Sequence, residues 1–400
     1  MTKERSISLK AYHCPLTDRV IHYSFAHLRR SGQKSSSQQS SRSNENNDES
    51  SDATIIGPSP ACWIFFYPAG PNRRLLEAVI SRYKTEFQSD RDVFFLCLNR
   101  PGKGGTSSSS ESSENVNISC EQEYIRTACS DIITIIDHYQ VPKVSLFYMC
   151  AGSTFAYSFA KLHSDRTTGY ILGLSSWILR HDGVRHNNDN GRVEDDNVDY
   201  STPSNMNSTI HSWAMRGYFG RKSMISSLAG GVVGSVSGLF NSLPQQWVVD
   251  GFKKELSSHE RMEFEEQYPD EGGLPFVEMM TWMYGDSDGD GSVFVNGDHV
   301  EESKRVPCLN DGNAKDIAVC LCTQQDLGLE YKSSVPQQKR VLLWHGENDR
   351  MVNVAGAEYL ESMLNNATLS YVIDGTHQGT MFFFPTDLML ELNQISNCST

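Results

Sequence analysis

Short unbroken apolar runs, separated by stretches of helical spacing, set the frame of this 400-residue chain. Residues 61–67, 92–98, 144–149, 169–174, 339–345 and 369–373 are rich in branched and aromatic side chains and carry no polar alternation. Such runs mark strands covered on both faces, as in a parallel sheet. Between them, residues 73–87, 120–139 and 355–364 place apolar side chains at helical intervals. In 120–139 the predicted face comprises Ile125, Ala128, Ile132, Ile133 and Ile136. Residues 6–12 and 19–25 alternate instead, around Cys14-Pro15-Leu16-Thr17-Asp18, which is the pattern of a hairpin.

The alternation is interrupted twice by serine-rich stretches and once by something longer. Residues 31–53 collapse into Ser, Gln, Asn and acidic residues, a composition that cannot bury a core and predicts a disordered insertion. Residues 107–115 form a second polar spacer. Strand–helix alternation stops from 180 to 332, where helical patches at 212–219, 244–268 and 274–284 are joined by polar or glycine-rich gaps. The expected architecture is α/β: a mainly parallel central sheet with helices on both faces, built from residues 1–30, 54–179 and 333–400. Residues 180–332 are then a large helical insertion between two of its strands.

Charge and composition narrow the function classes. A net charge of −14 with no Lys/Arg block argues against nucleic-acid binding. No stretch reaches the length and uniform apolarity of a membrane span, and residues 229–240, the most apolar part of the insertion, are short and rich in Gly and Ser. The first residues run into a strand pattern without an apolar signal region, so a cytoplasmic location is expected. The ten cysteines are scattered and several lie in apolar runs, as core thiols of a reducing compartment would. Cys320-x-Cys322 lacks the second pair of a zinc site. Asp286-Ser287-Asp288-Gly289-Asp290-Gly291 opens like a calcium loop, but its twelfth position is Gly297 rather than glutamate, so an acidic surface loop is expected. The small-residue run 230–238 is too short and polar for a membrane helix pair and reads as a hinge or substrate-facing segment.

Candidate chemistry gathers where the strands end, because catalytic groups of open parallel sheets collect at their carboxyl edge. The run 144–149 breaks at Cys150, and Ala151, Gly152 and Ser153 open a helix, the layout of a nucleophile elbow. Asp349 follows the next-to-last strand and His377 the last, giving thiol, carboxylate and imidazole in that order. The imidazole relays the nucleophile's proton, and the carboxylate fixes its tautomer. Glu347 and Asp374 are rival acids, Asp374 awkwardly close in sequence to the histidine. His345, at a strand end, reads as structural. The backbone N–H groups of Ala151 and Gly70 are the expected oxyanion donors, since Pro71 has none.

Several of these stretches resemble the α/β-hydrolase superfamily. Pro68-Ala69-Gly70-Pro71-Asn72-Arg73 is similar to its His-Gly-x-Pro-Gly-Ser loop, and Asn99-Arg100-Pro101-Gly102-Lys103-Gly104 to its Asp-Arg-Pro-Gly-x-Gly turn. Trp344-His345-Gly346-Glu347-Asn348-Asp349 resembles the acid loop, and Gly375-Thr376-His377 the histidine loop. The resemblance implies that 180–332 is a cap shaping the pocket, with no metal or organic cofactor needed. It implies a small acyl substrate, of apolar character, held as a thioester on Cys150. Two departures matter: Cys150 stands where serine is usual, and Tyr148 where the elbow usually begins with glycine. Ester, thioester or lactone hydrolysis, acyl transfer through the same thiol, and ligand binding without catalysis all remain open; a dehalogenase or epoxide hydrolase would need a carboxylate at position 150. Substrate identity and oligomeric state are not legible.

Overall fold

The computed structural model describes residues 7–28, 61–69, 71, 73–86, 92–108, 119–179, 245–268, 294–295, 298–299, 311–320, 322–335, 338–383 and 385–398. The expected insertion 31–53, the segments 230–238 and 286–291, and most of 180–332 lie outside them.

Strands β1 (Ile7–Cys14) and β2 (Arg19–Leu28) form the expected hairpin. β3 (Ala61–Phe66), α1 (Leu75–Glu86), β4 (Val93–Leu98), α2 (Cys120–His138), β5 (Val144–Met149), α3 (Gly152–Leu162) and β6 (Thr167–Leu174) follow in alternation. Within the insertion come α4 (Gln245–Glu255), α5 (Ser258–Gln267), a two-stranded ribbon of β7 (Phe294–Val295) and β8 (Asp298–His299), α6 (Asp311–Cys320), α7 (Gln324–Leu327) and α8 (Tyr331–Ser334). β9 (Arg340–Gly346), α9 (Val354–Met363), β10 (Ala367–Val372), α10 (His377–Phe382) and α11 (Thr386–Cys398) complete the chain. Two helices follow Thr376, broken where Pro385 supplies no backbone donor.

Eight strands make one sheet in the order β1-β2-β4-β3-β5-β6-β9-β10. β2 meets both neighbours antiparallel, and every pair from β4 through to β10 is parallel. The alternating side chains of β3 explain why its run is unbroken: Cys62, Ile64 and Phe66 pack with α2 and α3, whereas Ala61, Trp63 and Phe65 pack with α1 and α11. On α2 the buried stripe is Ile125, Ala128, Ile132, Ile135 and Ile136. Ile133, expected on that stripe, is only half-buried, and Ile135 takes its place against the sheet.

The sheet's order matters for the site. From β3 the chain crosses to β4 on one side, then returns to place β5 on the other. Loops leaving β3 and β5 therefore diverge at a switch point, where crevices open at the carboxyl edge.

Candidate active site

Cys150 opens the two-residue corner between β5 and α3 and has φ of 47°, a left-handed conformation that costs a non-glycine residue about 1 kcal/mol or more. Its N–H donates to Leu174 O at 2.9 Å, and its own carbonyl accepts from Ser153 N at 3.0 Å and Trp177 N at 3.3 Å. These bonds over-determine the corner. Gly152 begins the helix against β3, where an added Cβ would lie 2.2 Å from Phe66 O. Ala151 is the N-cap residue of α3, so its N–H lies outside the helical ladder.

Tyr148 fits because its neighbour gives way. Gly173, beside it on β6, would place a Cβ only 2.2 Å from the Tyr148 ring and hydroxyl. The hydroxyl is satisfied by Ser176 Oγ at 2.8 Å and Tyr157 Oη at 3.2 Å. Gly173→Ala is accordingly expected to lower unfolding free energy by about 1–3 kcal/mol through overpacking, as a urea denaturation series would measure.

His377 Nδ1 and Asp349 Oδ2 lie 2.7 Å apart, and both residues are buried. The second carboxylate oxygen accepts from Met351 N at 2.9 Å and Val352 N at 2.8 Å, which fixes the acid's orientation. Burial opposes a charge on His377, but the Asp349 carboxylate, and after it the Cys150 thiol hydrogen-bonded to the same ring, raise its pKa to about 10. With Nδ1 engaged by the acid, Nε2 is the nitrogen left for the thiol. Asp349 is held below its usual value: burial works against ionisation and the two imidazoles His377 and His345 outweigh it. The rival acids are elsewhere: Glu347 and Asp374 are exposed, and Asp374 N is 3.4 Å from Glu347 Oε2. His345 is fully buried, donates from Nε2 to Val352 O at 3.1 Å, and is kept neutral chiefly by that burial.

Gly70 lies outside the described residues, but the loop around it is tightly tied. Arg73 N donates to Asn99 Oδ1 at 2.9 Å, Asn99 Nδ2 donates to Gly104 O at 3.0 Å, and Lys103 Nζ donates to Pro71 O at 2.9 Å. Arg100 is sandwiched between the Tyr67 and Phe155 rings and donates to Tyr67 O. Both cations are buried, and Asp316 on α6 pairs with both, accepting from Arg100 at 2.6 Å, Lys103 at 2.9 Å and Tyr124 Oη at 2.9 Å. Burial raises the Asp316 pKa, and Arg100 and Lys103 more than reverse it. Asp316→Ala would strand two buried cations and should cost about 3–5 kcal/mol of unfolding free energy in denaturant titration.

Asp316 carries no sequence signal, and neither does Glu260, which comes from the insertion and is bonded to Thr376 next to the histidine. Among the described residues no cluster of three His, Cys, Asp or Glu side chains could hold a metal ion, and no helix is long and apolar enough to cross a membrane. Eight cysteines in that set are free thiols, with only Cys120 exposed.

The chain has the α/β-hydrolase fold. Solved structures similar to it include 2-hydroxy-6-oxo-6-phenylhexa-2,4-dienoate hydrolase from Rhodococcus sp. strain RHA1, at 11% identity over 98% of each chain with a TM-score of 0.51. An α/β-hydrolase fold protein from Nakamurella multipartita is similar at 10% identity over 98% of this chain and 99% of that one, with a TM-score of 0.54. No protein-family model and no curated protein sequence matches.

Proposed function

We propose that this protein is a hydrolase of an ester, thioester or lactone that works through Cys150, His377 and Asp349. The observation that carries the reading is the His377–Asp349 pair at 2.7 Å, with the same imidazole bonded to a thiol on a strained corner. In the proposed cycle the Cys150 sulfur attacks the acyl carbonyl carbon, its proton having passed to His377. The carbonyl π electrons move onto oxygen, and the N–H groups of Ala151 and Gly70 receive that charge. As the carbonyl re-forms, the bond to the alkoxide or thiolate breaks, and His377 supplies that leaving group with its proton. Water then attacks the thioester, gives a proton to His377, and releases the carboxylic acid as the thiol is restored. Asp349 holds the ring and stabilises its charged form throughout.

Domain roles follow from the same reading: residues 1–30, 54–179 and 333–400 form the catalytic core and 180–332 the cap that chooses the substrate. Incubation with p-nitrophenyl esters of graded chain length tests the proposal, with nitrophenol release and an acyl mass on the Cys150 peptide as the expected result. An acyl adduct that persists in water and is discharged by added alcohols or thiols would replace hydrolysis by acyl transfer. Absence of both release and adduct across the series would leave a binding protein.

A further inference from the structure

Glu260 stands on the first turn of α5, a helix of the insertion, yet its carboxylate is spent on the histidine loop. Oε1 accepts from Thr376 N at 2.8 Å, and Oε2 accepts from Thr376 Oγ1 at 2.8 Å and from Ser257 N at 2.9 Å. Thr376 is the N-cap of α10, its hydroxyl also accepting from Gly379 N at 3.0 Å, and His377 is the next residue. Gly379 makes room for the contact, since a Cβ there would lie 1.7 Å from Glu260 Oε1. Glu260 is 6% exposed, so solvent cannot easily substitute for these partners.

We propose that Glu260 is a positioning residue for His377, the contact through which the insertion holds the imidazole in register between Asp349 and Cys150. The proposal rests on the triad reading above. A carboxylate suits the place because it offers an acceptor to each donor. A glutamine has one acceptor oxygen, and its amide would face Thr376 N–H or Ser257 N–H donor to donor. Displacement of a catalytic ring by about 1 Å costs on the order of a hundred-fold in rate.

The test is Glu260→Gln in the full chain, assayed on a p-nitrophenyl ester and by NMR at the downfield proton of His377 Nδ1. The expected result is a kcat lower by about ten- to hundred-fold, KM within about two-fold of wild type, and a shifted or broadened Nδ1 proton. Gly379→Ala reaches the same carboxylate from the other side and should lower kcat comparably. The double variant should be no slower than the worse single one, because both break one contact. An unmoved Nδ1 proton, a rise in KM alone, or multiplying losses in the double variant would each overturn the proposal and leave Glu260 as a cap anchor. Should the wild type show no Cys150-dependent turnover, the triad reading fails. The Nδ1 proton would still report whether Glu260 places the ring.

Discussion

Cys150→Ala is expected to lower kcat/KM for ester hydrolysis by about a thousand-fold or more. Alanine keeps the Cβ, so the corner at φ 47° and its three backbone hydrogen bonds are retained at similar strain. What disappears is the proposed nucleophile, while the proposed oxyanion donor Ala151 is left unchanged. Cys150→Ser sharpens the prediction. A thiol can pass its proton to an imidazole and stand as thiolate beside imidazolium, whereas an alcohol needs a free base at the moment of attack. The Asp349 carboxylate, which the substitution leaves in place, still favours imidazolium over the free base that serine needs. Serine should therefore recover little of the lost rate. Release of nitrophenol by purified variants decides the matter, and an alanine variant as fast as wild type would sink the mechanism.

The second large effect is at Asp349. Asp349→Asn should reduce kcat by about a thousand- to ten-thousand-fold, because an amide can donate to Nδ1 and hold the wrong tautomer. Its pH profile carries a signed prediction. In the wild type burial disfavours imidazolium, but the Asp349 carboxylate and the Cys150 thiol keep the proton on His377 up to about 10, so the alkaline limb of kcat/KM falls there. Without the carboxylate only Cys150 is left to oppose the burial penalty, and the limb moves to lower pH. Stability follows the same sign: a pKa raised on folding contributes fully below the unfolded value of about 6.5 and is lost as pH rises toward 10. The wild-type denaturation midpoint should decline across that window more than that of Asp349→Asn. A limb that stays put in the variant would detach it from His377.

Much of the fold is legible because strands buried on both faces leave a composition signal that needs no partner. β3, β4, β5, β6, β9 and β10 were each readable as apolar runs. The order Cys150, Asp349, His377 is readable for a related reason: each lies within four residues of the end of such a run. What stayed hidden depends on neighbours far away in sequence. Gly173 makes room for Tyr148 only once β5 and β6 are known to be adjacent. Asp316 meets Arg100 across 216 residues and Glu260 meets Thr376 across 116, separations at which no local pattern survives. The helical break after Phe382 follows from Pro385; the exchange of Ile133 for Ile135 on α2 is set by how the helix rolls against the sheet.

The counterion of Arg100 and Lys103 also comes late in synthesis. Both cations lie beside the loop after β3, but Asp316 is made 216 residues after Arg100. At about 5–20 residues per second the ribosome leaves that gap open for roughly 10–40 s. Over that interval the first half of the sheet cannot close its carboxyl edge without burying uncompensated charge. Until α6 has emerged, any closure of this edge leaves Arg100 and Lys103 without the carboxylate that pairs with them.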